Sequence, residues 1–241
     1  MRQIAAGRLN SKEEKMQRTD RLAKGFTLIE LIFVIAIIVV LASIFVPLAL
    51  DKLAQANQAK ADADLNTVAA SLASFFTDVK HMPACDNADC DPLTGNNNDL
   101  KMLVIKEDAS TVATSDIPAM ASAVSCTGAA TWNAAGNLSA TPGRNNAFNQ
   151  LVVNNPNADS TEAESGVDYS GWKGPYIAKF GKDPWGNRYV IHVGAMEKNG
   201  TKINSGGRGW ILSAGEDGVF NTCPEASSLS GDDRGFIFVT Q

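Results

Sequence analysis

Lys24-Gly25-Phe26-Thr27-Leu28-Ile29-Glu30, followed by an uncharged run from Leu31 to Leu50, decides how this chain is read. A basic segment ends at a glycine, and a long apolar stretch follows with one carboxylate near its start. As a helix, Phe26–Leu50 extends roughly 37 Å, against about 30 Å of hydrocarbon in a bilayer. A lone charge in such a span costs on the order of 2.5–3.5 kcal/mol on insertion scales, so Glu30 is a functional candidate by default. Three plainer readings compete. A secretory signal peptide has an apolar core of about 7–15 residues and a small-residue exit site; this run is longer and flows into a helical pattern. A simple signal anchor explains the span but not Gly25 or Glu30. Buried helices of soluble proteins rarely run this far without a charge.

Gly25-Phe26-Thr27-Leu28-Ile29-Glu30 resembles the processing site of type IV pilins and type II secretion pseudopilins. The resemblance implies that a prepilin peptidase cuts between Gly25 and Phe26 and methylates the new amine on Phe26. It also covers Pro47 within the apolar helix. Glu30 lies four residues after Phe26, one turn along the same face. Pairing Glu30 with the Phe26 amine of a neighbouring subunit would neutralise two charges that are each unfavourable alone in lipid. Phe26, Glu30 and Pro47 are therefore the assembly candidates. Pro47 lacks a backbone donor and is expected to kink or locally unwind the helix.

The charge distribution agrees with an anchored chain. Residues 1–25 hold seven of the 21 basic residues and three of the 26 acids, which leaves residues 26–241 with a formal charge of −9. A basic front and acidic rear place residues 1–25 in the cytoplasm and the remainder outside, and the acidic rear argues against nucleic acid as a partner. Met16 offers a second translation start that would give a short leader. The four cysteines, Cys85, Cys90, Cys126 and Cys223, all follow the span. An even number in an oxidising compartment suggests disulfides, with three connectivities possible. Cys85 and Cys90 are close enough in sequence to close a small loop, which would leave Cys126 with Cys223. A four-thiolate zinc site is the rival, without the usual paired short spacings.

Beyond Pro47 the period stays helical. Leu65, Val68, Leu72, Phe75, Phe76 and Val79 recur every three or four residues among polar positions, predicting one helix from about Phe26 to Lys80, ended by Met82-Pro83. Residues 84–166 are rich in Asn, Ala, Ser, Thr, Asp and Gly and read as a loop-rich insertion. Leu100 and Met102–Val104 suggest a short buried element there, and Ala119–Ala130 and Phe148–Val153 short helices or strands. The tail reads as a small antiparallel sheet with strands near Tyr189–Val193, Gly209–Leu212 and Gly235–Thr240. Trp185 and Tyr189 read as its aromatic core. His81 and His192 read as structural, and the sequons at Asn137 and Asn199 as chance matches. The expected fold is α+β: leader 1–25, apolar helix 26–50, amphipathic helix 51–83, insertion 84–166, and sheet 167–241.

A second resemblance lies in this tail. Gly171-Trp172-Lys173-Gly174-Pro175-Tyr176, then Asp183-Pro184-Trp185-Gly186-Asn187, then Ser213-Ala214-Gly215-Glu216-Asp217-Gly218 and Asp232-Asp233 are similar to the C-terminal half of type II secretion major pseudopilins. The resemblance implies a calcium site formed by the Leu212 carbonyl, Ser213, Asp217, Asp232 and Asp233. Calcium takes six to eight oxygens, which such a loop can offer. Residues 84–166 are much longer than in compact members of that family. No nucleophile elbow, triad or phosphate loop is present in the sequence.

Together these features predict a non-enzymatic subunit of a pseudopilus for protein secretion. It would be anchored in the bacterial inner membrane with its head in the periplasm, and then assembled into a helical filament of identical copies. Its implied partners are prepilin peptidase, inner-membrane assembly machinery and minor pseudopilins. A surface pilus for adhesion or motility is the first alternative, and a membrane-anchored periplasmic enzyme the second.

Overall fold

The computed structural model describes residues 25–80, 83, 100, 102–126, 132, 138, 142–156, 158, 169–178, 181–192, 208–224 and 226–240. The leader up to Lys24, Cys85, Cys90, His81, Asn137 and Asn199 lie outside the described residues. The chain divides into two units at Leu50/Asp51. Helix α1, Leu28–Val79, runs through that division as one element of 52 residues.

In the first unit the helix is apolar all round and exposed on every side, Phe26, Phe33, Ile38 and Phe45 among the exposed residues. Among the described residues, α1 is the one helix long and apolar enough to cross a membrane. The expected unwinding at Pro47 is not found; helical backbone continues through it. Pro47 removes the donor that would reach the Ser43 carbonyl, and the Ser43 hydroxyl turns back one turn to donate to the Val40 carbonyl at 2.7 Å.

In the second unit α1 becomes amphipathic. Ala61, Leu65, Val68, Leu72, Phe75 and Val79 are buried at spacings of three and four, the stripe a helix presents to a core. Phe76, one position off the stripe, is 47% exposed, so it does not share the core role the spacing suggested. The helix stops one turn before Met82-Pro83. Lys80 takes a left-handed conformation (φ +69°), its N–H still bonded to the Phe76 carbonyl at 2.9 Å.

The sheet has four antiparallel strands in the order β1 (Met102–Val104), β2 (Val190–His192), β3 (Arg208–Ser213) and β4 (Arg234–Thr240). Three of them lie where the sequence placed them. The fourth, β1, comes from within residues 84–166 and pairs Leu103 with Ile191, so this region is part of the sheet. Phe148–Val153 falls largely on helix α2, Ala147–Leu151.

Strand alternation sorts the core into two layers. Leu103, Ile191 and Ile211 sit opposite one another and pack with the α1 stripe, Tyr189 and Leu151. Met102, Val190, Trp210 and Leu212 point the other way, into a second cluster with Val112, Ile117, Trp132 and Phe220. Among the described residues, that second face is covered by largely irregular chain, with one short 3-10 turn at Thr114–Asp116. Buried amides hold part of the irregular chain in place. Asn145 Nδ2 donates to the Met102 carbonyl at 2.7 Å, and Asn146 Nδ2 to the carbonyls of Asp108 and Ser110.

Three aspartates on α1 fasten the helix to the rest of this unit. Asp62 accepts a two-pronged contact from Arg234, at 2.6 and 3.2 Å. Asp64 accepts from the Tyr189 hydroxyl at 2.8 Å. Asp78 accepts from Lys173 Nζ at 3.0 Å and from the Tyr176 hydroxyl at 3.1 Å. Hydrogen bonding to Lys173, chief among several influences, holds the Asp78 carboxyl below its ordinary range. The Gly171-Trp172-Lys173-Gly174-Pro175-Tyr176 block is thus a clasp at the end of α1. Gly171 (φ +82°) lies against the helix there, and a Cβ on it would stand 2.9 Å from the Asp78 carbonyl oxygen.

Two adjacent phenylalanines should therefore behave very differently. Phe75→Ala opens a cavity under Tyr169 and Tyr176, whose rings lie 4.9 and 5.4 Å away, and should cost about 3–5 kcal/mol. Phe76→Ala should stay within about 0.5–1 kcal/mol. Urea unfolding of the full chain in detergent micelles, followed by near-UV circular dichroism, measures both; equal losses would contradict this packing.

Candidate functional site

Two places carry polar chemistry that the fold does not require for bulk packing: the start of α1 and the loop between β3 and β4.

At the helix start, Thr27 stands just before Leu28 and its carbonyl accepts the first helical bond, from Leu31 N–H at 3.2 Å. Its hydroxyl accepts from Glu30 N–H at 3.3 Å. The Glu30 carboxylate in turn accepts, on Oε2, from Thr27 N–H at 3.3 Å and from the Thr27 hydroxyl at 3.2 Å. This is a reciprocal capping box. The Thr-x-x-Glu spacing ahead of an apolar run is its sequence signature, and it identifies Thr27, which the assembly reading of Glu30 left without a role. The first N–H groups of a helix have no intrahelical partner, and the cap supplies two of the missing acceptors. A carboxylate there also meets the positive end of the helix dipole.

The loop after β3 is organised by a residue outside the expected calcium set. Asp183 is buried. Its Oδ1 accepts from Trp185 N–H at 3.1 Å and Asn187 N–H at 2.7 Å, closing the Asp-Pro-Trp-Gly-Asn turn on itself. Its Oδ2 accepts from the Ser213 hydroxyl at 2.5 Å. Asn187 Nδ2 then reaches the Gly215 carbonyl at 3.1 Å. The turn therefore serves as a bracket for the loop. Trp185 within it is only half-buried, and of the aromatic pair expected in the core only Tyr189 is fully buried. Burial, followed by its bond to Asp64, raises the Tyr189 hydroxyl well above the ordinary phenol value.

Of the five calcium candidates, Leu212 and Ser213 end strand β3, while Asp217, Asp232 and Asp233 lie in the loop that follows, each with its own partners. The Ser213 hydroxyl is engaged with Asp183 and accepts from Gly215 N–H. Asp217 accepts from Val219 N–H on one oxygen and Asn221 Nδ2 on the other. Asp232 accepts from Asp217 N–H at 2.8 Å, which makes these two acids neighbours. Gly215 permits that approach: at φ +66°, a Cβ would lie 2.3 Å from the Asp232 carbonyl oxygen. Asp233 is 4% exposed; its Oδ2 accepts the N–H groups of Asn221 and Thr222, while its Oδ1 is buried without a hydrogen-bond partner. Burial pushes its carboxyl up to about 6. Among the described residues, no three His, Cys, Asp or Glu side chains converge as a metal cluster.

Cys126 and Cys223 form a disulfide, with Cα atoms 5.5 Å apart. It closes a loop across a separation of 97 residues, for which chain-entropy arguments give a stabilisation of about 4–5 kcal/mol.

Residues 20–46 match the prokaryotic N-terminal methylation motif. The chain is also 43% identical over 76 residues to the major component of the type IV narrow pilus, PilA5, of Thermus thermophilus. The amino-terminal region is type IV pilin-like. The match to the Thermus protein covers 32% of this chain and 66% of that relative, just short of two thirds of its length. No solved structure matches the chain. An apolar helix under a pilin motif, a four-stranded antiparallel sheet and a disulfide are thus all in place.

The capping box yields a direct test. Thr27→Val removes the hydroxyl that both accepts and donates, at a cost of about 1 kcal/mol to the first turn; Thr27→Ser should restore it. Amide exchange at Glu30 in micelles should accelerate roughly fivefold in the valine variant and stay near wild type in the serine variant. Equal exchange in all three chains would remove the cap from the account.

Proposed function

We propose that this chain is a non-enzymatic filament subunit, cut and methylated between Gly25 and Phe26 and assembled into a helical fibre through the apolar half of α1. The observation that carries the reading is the capped Glu30 at the start of a wholly exposed apolar helix under the methylation motif. Both cap bonds end on Glu30 Oε2, so Oε1 can take the Phe26 amine of a neighbouring subunit without dismantling the cap. A neighbour docked at the wrong height would leave two charges unpaired in an apolar medium, which sets the register. Before assembly the subunit waits in the inner membrane with its head in the periplasm. Prepilin peptidase, inner-membrane assembly proteins and minor subunits are its expected partners.

The finer assignment is to a type II secretion pseudopilus, supported by the Asp183–Asn187 bracket and the carboxylate loop it holds. The similarity to a protein named as a pilus major component favours the second reading, a surface pilus. Deleting the gene separates them: loss of secreted proteins from the medium marks the first, loss of surface filaments with secretion intact the second.

Calcium belongs to the pseudopilin reading. The partnerless, buried Oδ1 of Asp233 and the adjacent acids Asp217 and Asp232 support a cation there, with the Leu212 carbonyl as a further oxygen and Ser213 positioned by Asp183. Bound calcium would supply positive charge to a carboxylate that burial otherwise disfavours.

Intact-mass measurement of filament or membrane protein should find a chain beginning at methylated Phe26; a start beyond Leu50 would mean an ordinary signal peptide. Glu30→Leu should insert normally yet form no regular filaments, and straight filaments at wild-type level would sink the register role.

For calcium, the full chain in micelles should melt lower in chelator and recover with Ca²⁺ but not Mg²⁺, whose octahedral shell is stricter. A hundredfold excess over Kd corresponds to about 2.7 kcal/mol. Asp217→Ala should abolish most of the difference, and a melting point indifferent to chelator would retire the ion.

A further inference from the structure

Arg234 sits where the carboxylate loop returns to the sheet. It follows Asp232 and Asp233 directly, opens β4, and pairs with Ser213 at the end of β3, so it forms the rung that closes the mouth of the loop. Its side chain goes to the helix. Arg234 Nε donates to Asp62 Oδ1 at 3.2 Å and Nη2 to Asp62 Oδ2 at 2.6 Å, a fork of two bonds. Gly235 fixes the strand beside it: a Cβ there would stand 2.1 Å from the Ile211 carbonyl oxygen.

Three consecutive charges therefore have three different partners. Asp232 Oδ2 accepts from Asp217 N–H, Asp233 Oδ2 accepts from the N–H groups of Asn221 and Thr222, and Arg234 is engaged by α1. The side chains of Arg234 and Asp62 are 33% and 48% exposed, and ion pairs open to water contribute little to stability. What a fork secures is orientation, because two bonds hold the planar guanidinium at once. Here it commits a positive charge to the helix rather than to the acids one and two positions before it. Asp64, two positions further along α1, accepts the uncharged Tyr189 hydroxyl instead.

We propose that Asp62 is a positioning residue for the carboxylate loop: as the counter-charge of Arg234, it keeps the guanidinium off Asp232 and Asp233 and leaves both acids open to a divalent cation. Without Asp62, those two acids are the nearest carboxylates along the chain. A guanidinium paired with either one competes with the cation for the same oxygens and repels it. The cation affinity of the loop is thus set in part from α1. This inference rests on the calcium reading of the loop and is independent of the filament reading.

Calorimetric titration of the full chain in detergent micelles with Ca²⁺ tests this, with amide exchange at Ile191 and Ile211 reporting an intact sheet. Asp62→Asn should weaken Ca²⁺ binding at least fivefold while sheet exchange stays within twofold of wild type. Asp62→Glu, which keeps the carboxylate, should recover most of that loss. Asp62→Asn/Arg234→Gln should bind within twofold of wild type, since the uncompensated charge is gone; a merely structural pair would leave the double variant no better than the single one. Asp64→Asn, which alters the Tyr189 contact without freeing a cation, should leave affinity within twofold. Arg234→Gln alone should bind at least as tightly as wild type, which decides the matter even if Asp62→Asn does not accumulate. Wild-type affinity in Asp62→Asn, no recovery in the double variant, weaker binding in Arg234→Gln or equal weakening by Asp64→Asn overturns the positioning role while calcium stands. A wild-type chain that takes up no Ca²⁺ retires the calcium reading and this inference with it.

Discussion

Strands β1 and β2 are three residues long, and every residue in them is buried. Such short strands hold together only if both faces of the sheet are covered. That requirement shapes the second unit of the molecule. One face is covered by the α1 stripe, a regular element whose backbone bonds are internal. The other is covered by irregular chain, whose backbone groups must find partners one by one. Trp132 does this for the Thr222 carbonyl; elsewhere Asn145 holds the Met102 carbonyl, Asn146 those of Asp108 and Ser110, and Gln150, on a helix α2 that packs on the α1 side, those of Arg144 and Pro156. A region that looks like dispensable polar loop by composition is half of the core's enclosure.

Much of this was legible in the residues, and the gaps have physical causes. The helix, its apolar and amphipathic halves and the three C-terminal strands follow from period and branching, while Cys126–Cys223 is one of three connectivities that the cysteines allow. By sequence, strand β1 reads only as a short buried element, because three apolar residues fit a helix turn as well as a strand. The buried Asn145–Gln150 amides were missed because Asn and Gly read as exposed turn. For Asn145 and Asn146 the partners are carbonyls more than 30 residues away, which no local window contains. The sequence period groups Phe76 with Phe75, because a three-to-four period leaves adjacent positions undecided. In the loop, Asp217 N–H bonds Asp232; by sequence Asp183 reads only as a turn residue and Thr27 as part of a motif. Thr27 was recoverable from its spacing to Glu30; the partner of Asp183 was not, since Ser213 lies 30 residues on.

Glu30 illustrates how one carboxylate can meet two demands in sequence. In the isolated subunit it completes the start of a helix whose N–H groups would otherwise lack acceptors. In the filament proposed above, the same side chain would supply a charge at a fixed height. One side chain could serve both because a capping glutamate sits three residues beyond the cap, one turn from Phe26.

The bond from Ser213 to Asp183 has a consequence for how this head can change over generations. Asp183 is buried, and Ser213 is its link to the strand. Replacing Ser213 by an apolar residue strands a carboxylate oxygen, a loss of about 1–3 kcal/mol or more for a charged group. Replacing Asp183 alone releases two turn amides as well. Either change is poorly tolerated first, so the two positions can drift only as a pair. The Asp183–Asn187 turn and the loop it brackets should therefore be inherited as a single block, and transplanting one into another head without the other would transfer neither.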